Sequence, residues 1–105
     1  MANPVVVYKG RTNVVLLNLG IDVSSDVITS EIRVGKSIDT DLIVTWDVEF
    51  VTDGTDGECR LTLDDSVSSV EEDSGFMDVK RVSGGEPYQV FSAPLKVLFK
   101  EVVTE

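Results

Sequence analysis

The sequence predicts an all-β protein: a two-sheet antiparallel β-sandwich of about seven or eight short strands with one short helical crossover. Three observations carry this. Apolar residues recur with a period of two in four separate stretches. Glycine-containing turn signals punctuate those stretches at intervals of roughly 8 to 12 residues, and only one short segment has helical spacing. The 105 residues, 42% hydrophobic and 27% charged, suit a single domain spanning 1–105 around one core.

Taken in order, Val5 to Tyr8 and Val14 to Leu19 are valine- and leucine-rich runs of β-forming residues. Ile28 to Val34 alternates apolar with polar and ends at Gly35-Lys36-Ser37. The clearest alternation is Leu42 to Phe50. There Leu42, Val44, Trp46, Val48 and Phe50 share one face, as expected of one half-buried strand. Asp53-Gly54 and Asp56-Gly57 then mark a turn, and Cys59, Leu61 and Leu63 form the buried side of the next strand. Asp65 to Asp73 is the candidate helix, two turns at most. Val67 and Val70 stand three apart, and Ser68 with Glu71 fits a capping box. Gly75 to Val82, Tyr88 to Phe91 and Leu95 to Lys100 complete the strands, with Ser83-Gly84-Gly85-Glu86 as a hairpin turn.

Charge and residue usage exclude several functions. Nineteen acidic against nine basic residues leave a net charge of −10, which repels nucleic acid and anionic membranes. Only Lys80 and Arg81 are adjacent among the basic residues, and a strand points them to opposite faces. The residues after Met1, Ala2-Asn3-Pro4 and three valines, encode neither a secretory leader nor a membrane span, so a soluble chain made in the cytosol is expected. There is no histidine, which removes the usual proton shuttle of serine and cysteine triads and the usual Cys/His zinc sets.

What remains is read against plainer roles. Asp47 and Glu49 lie on one strand face, where neighbouring carboxylates form a solvated surface more often than a glycosidase pair. Cys59, in phase with Leu61 and Leu63, is expected to be a small buried hydrophobe. Trp46 is expected to be a core residue and not a ligand platform. The three carboxylates of Asp53 to Glu58 are dense enough for calcium, yet they lack EF-hand spacing, and Asp-Gly pairs are what tight turns prefer. The turn is the expected role. No catalytic residue, metal ligand, cofactor or small-molecule substrate is assigned, and the chain is read as a non-enzyme.

Several segments, in order, carry a resemblance across nearly the whole chain. They are Tyr8-Lys9-Gly10-Arg11-Thr12 before the strand Val14 to Leu19; Ile38-Asp39 through Phe50; the turn Asp53 to Gly57; and Cys59-Arg60-Leu61-Thr62-Leu63. Gly75 to Val82, the Gly-Gly-Glu-Pro turn at Gly84 to Pro87, and a last strand led by Pro94 follow. This pattern resembles the small immunoglobulin-like domains of tailed bacteriophages, found at the front of baseplate and receptor-binding proteins and as free-standing virion proteins. It departs from them at Val67-Ser68-Ser69-Val70, where four acidic residues flank a segment expected to be rich in threonine and alanine.

The resemblance implies an immunoglobulin-like sandwich and a virion structural role, in tail, baseplate or head, with other virion proteins and further copies as partners. It implies no cofactor. Sandwich edges offer backbone groups for pairing, and the first and last strands, flanked by Lys9, Arg11, Lys96 and Lys100, are the expected edges. The alternative is a carbohydrate- or surface-ligand-binding module using the end loops Asp53 to Glu58 and Ser83 to Pro87. Few aromatic residues, most of them on expected inner faces, weigh against it. An inhibitor that occupies a basic site would account for the net charge and little else.

Overall fold

The computed structural model describes residues 4–64, 70–91 and 93–103. These form nine strands: β1 (Val5–Tyr8), β2 (Asn13–Asn18), β3 (Val27–Arg33), β4 (Leu42–Thr45), β5 (Asp47–Phe50), β6 (Glu58–Leu63), β7 (Ser74–Ser83), β8 (Glu86–Gln89) and β9 (Leu95–Lys100). Six lie in one sheet, in the order β1-β9-β7-β3-β4, with β8 pairing the far end of β7. The other three form a second sheet in the order β2-β6-β5. Alternation does what the sequence predicts: Cys59, Leu61 and Leu63 of β6 meet Ile28, Ile32, Met77, Val79, Val97 and Phe99 of the larger sheet in one shared core. The architecture is all-β, with two sheets about a common core as in a β-sandwich.

Four expectations are corrected. The stretch 42–50 is two strands in different sheets and not one. β4 pairs with β3, β5 pairs with β6, and the chain switches sheets at Trp46, whose N–H donates to the Ser30 carbonyl at 2.9 Å. Such corners need a bend, and here the β3–β4 register slips beside Ile32 and Arg33. With that slip Leu42 is left exposed while Ile43 packs on the core. Second, the larger sheet is mixed and not purely antiparallel: β1 runs parallel to β9. Parallel neighbours need a long crossover, and here nearly the whole chain provides it.

Third, no helix occurs among the described residues. Residues 65–69 of the expected helix lie outside them, and 70–73 are not helical. The Asp73 carbonyl instead accepts the Phe99 N–H at 2.9 Å, which draws the segment toward β9. Fourth, the strand expected at Tyr88 to Phe91 is β8, Glu86–Gln89, and starts directly at the expected Ser83 to Glu86 turn. Ser83 pairs with Glu86 across a two-residue loop in which Gly84 and Gly85 both have positive φ, the geometry of a hairpin that follows strand twist. At the β5–β6 turn Gly57, also at positive φ, is required for a second reason: a Cβ there would lie 2.6 Å from the Ile21 carbonyl oxygen.

Candidate interaction face

A groove of about 500 Å³ lies over the outer face of the six-stranded sheet. Its floor follows from strand alternation. Thr29, Glu31 and Arg33 of β3 stand opposite Lys80, Asp78 and Phe76 of β7, all pointing away from the core. Lys36 and Ile38 from the β3–β4 loop, Gln89 of β8 and Pro94 form the walls. The loop is braced by Thr40, whose Oγ1 accepts the Gly35 N–H at 3.1 Å and whose carbonyl accepts the Arg33 guanidinium at 2.9 Å.

Two features define the groove's chemistry. Two ammonium groups lie over the Phe76 ring, Lys36 at 5.2 Å and Lys96 at 4.8 Å from its centre, both within cation–π range. Glu31 and Asp78 lie directly opposite each other, a like-charge pairing that is unfavourable when bare. Each is drawn to its own partner, Glu31 to Arg33 at 3.0 Å and Asp78 to the Gln89 amide at 2.8 Å. Arg33, Lys36, Lys80 and Lys96 thus gather four of the chain's nine basic residues around one groove that holds two carboxylates. On a molecule of net charge −10 this is a local reversal of sign. Sequence reasoning missed it because the four cations come from a strand, a loop and two further strands that only the sheet order brings together.

The residues singled out in the sequence are placed elsewhere. Cys59 is buried among apolar neighbours, where desolvation, aided by nearby Asp56, raises the thiol pKa above its ordinary value. Trp46 is 3% exposed, so its ring face is core; its indole N–H is buried and, among the described residues, has no hydrogen-bond partner. Asp47 and Glu49 are exposed on β5, with Glu49 paired to Arg60 at 3.1 Å. In the Asp53 to Glu58 loop the carboxylates serve the turn. Asp53 accepts the Thr55 hydroxyl at 2.6 Å and its N–H at 3.0 Å, and Asp56 accepts the Glu58 N–H at 3.0 Å. Among the described residues no three acidic, cysteine or histidine side chains converge as metal ligands.

The expected edge is also corrected. β9 lies inside the sheet between β1 and β7, so the last strand is not an edge. Lys9 is 7% exposed and pairs with Glu101 at 3.2 Å, Arg11 turns back on the Gly10 carbonyl, and Lys96 belongs to the groove. β1 is an edge, but Asn13 occupies its end. The Asn13 side-chain Oδ1 accepts the Tyr8 N–H at 2.9 Å, and its Nδ2 donates to the Tyr8 carbonyl at 3.0 Å, as a neighbouring strand would. Of the aromatic residues, Trp46, Phe50, Phe91 and Phe99 face the core, whereas Phe76, Tyr8 and Tyr88 lie outside it. No family model matches this chain, and no curated protein is significantly similar to it.

Proposed function

We propose that the protein is a non-catalytic building block of a tailed-bacteriophage particle, an immunoglobulin-like domain that docks an acidic segment of a neighbouring virion protein in the groove around Phe76. The clustering of Arg33, Lys36, Lys80 and Lys96 on an otherwise acidic molecule carries this reading. Such a patch steers an oppositely charged partner and disfavours wrong ones. The immunoglobulin-like type is supported by the ordered segments from Tyr8 to Pro94, which fall on strands and turns of the two-sheet fold. A non-enzymatic role is supported by the placement of Cys59 in the core and by the engagement of Glu31 and Asp78 with their own partners.

Quantitative mass spectrometry of salt-washed particles tests the reading. The expected result is a fixed, integral ratio to a tail or head protein; absence from particles overturns it. The combined substitution Lys36→Glu and Lys96→Glu is expected to leave a folded protein that no longer enters particles. A carbohydrate-binding module is the second reading, favoured by one observation, the partly buried Phe76 sharing the groove with Glu31, Asp78 and Gln89. Glycan-array binding abolished by Phe76→Ala would put it first.

A further inference from the structure

The strand edges of this molecule are protected unequally. β5 carries Asp47 and Glu49. β4 is four residues long and is flanked by Asp41 and Asp47. β8 contains Glu86 and Pro87, and β1 is capped by Asn13. Charge, shortness, proline and capping are the usual ways to block edge pairing. β2, Asn-Val-Val-Leu-Leu-Asn, has none of them: it is six residues long and uncharged, and among the described residues it pairs only with β6.

The register decides which groups β2 leaves open. The Leu19 N–H donates to the Gly57 carbonyl, in line with the β2–β6 ladder, so the odd-numbered residues of β2 bond to β6. The β5 side agrees, since the Val51 N–H donates to Glu58 and therefore even-numbered residues of β6 face β5. The N–H and C=O groups of Val14 and Leu16 then point to the free edge. Their side chains stand on the outer face, 53% and 70% exposed, and Leu16 is the most exposed apolar residue in any strand.

We propose that a second copy of this chain occupies that edge, β2 pairing antiparallel with β2 about a two-fold axis at Val15. In this register Val14 faces Leu16 of the second copy and Leu16 faces Val14, so the backbone groups pointing outward are those that pair. Four apolar side chains then form one patch on a continuous six-stranded sheet. An antiparallel edge is complementary to itself under a two-fold axis, which selects a copy of the same chain as the occupant. It also lets two molecules of net charge −10 meet along an edge that carries no charge. The inference names the surface through which copies of the proposed building block pair, but the edge argument does not require the particle.

Sedimentation equilibrium of the full chain tests it. The wild type is expected to approach twice the monomer mass with rising concentration. Association is expected to be about tenfold tighter at about 500 mM than at about 50 mM NaCl, because salt screens the net repulsion and leaves the apolar contact. Leu16→Lys is expected to abolish the dimer while melting like the wild type at dilutions where both are monomeric, and Leu42→Lys, the same change at a leucine 48% exposed on β4, to leave the dimer intact. Hydrogen exchange is expected to show the Val14 and Leu16 amides protected in the dimer and open in Leu16→Lys. A monomer at every salt concentration, a dimer that survives Leu16→Lys, or unprotected amides in a dimer would each overturn the proposal. Groove docking, being charge-driven, weakens with salt, so the two contacts fail separately: a chain absent from particles that still dimerises through β2 refutes the particle role alone.

Discussion

The two flanks of the fold close in different ways. On one flank the backbone itself passes from sheet to sheet, β4 running into β5 through Trp46, which fills the corner with its largest side chain. On the other flank β1 and β2 are edges of different sheets, and a side chain takes the place of a strand: Asn13 bonds the Tyr8 N–H and carbonyl and the Arg11 carbonyl at 2.9 to 3.0 Å. A covalent crossing leaves that corner nothing to cap, whereas one amide satisfies the backbone only within its reach. Beyond Asn13, no described residue pairs with the outer side of β2.

If the first flank depends on Trp46, then Trp46→Ala should cost roughly 3 to 5 kcal/mol of stability in chemical denaturation. Trp46→Phe, which keeps an aromatic ring in the corner, should cost less. A loss of only a few tenths for the alanine variant would show that the corner is held by backbone alone. The second flank should be weaker: Asn13→Ala orphans the Tyr8 and Arg11 groups and should cost about 1 to 3 kcal/mol. It should also increase self-association by uncovering the β1 edge, and unchanged association would show that the cap does not guard it.

The smallest effect is expected near the Gly54 turn, where Asp22 and Asp53 each hold a hydroxyl and an N–H, of Ser24 and Thr55 respectively. For Asp53 the Thr55 hydroxyl, and for Asp22 the Ser24 N–H, is the main cause of a pKa below the ordinary 3.8. A lowered folded-state pKa means that this support is present above 3.8 and lost as pH falls through the lowered value. The Ser24 and Thr55 amide resonances should therefore hold steady down to about pH 4 and shift below it. Steady resonances to pH 2 would show that the carboxylates do not order the turn.

Local physics made much of this legible in the sequence. Strict alternation over Cys59 to Leu63 placed three side chains in the core, because successive strand residues point to opposite faces whatever they pair with. Asp-Gly and Gly-Gly pairs located the turns for an equally local reason, the freedom of glycine at positive φ. The same local view made 42–50 one strand, since a period of two continues through a change of sheet. It also read Lys9 as a surface charge, although tertiary packing covers it.

The amino-acid sequence by itself determined that the chain is all-β, where most strands run, and that Trp46 and Cys59 are core. Only the tertiary structure decided which strands are edges, that β1 lies parallel to β9, that four cations gather around the groove of Phe76, and that among the described residues β2 has an unguarded side. Alternation and turn chemistry act over a few neighbouring residues and are written in the local order of the chain. Strand order is settled by pairing between distant segments, and the face of a sheet does not exist until those segments meet.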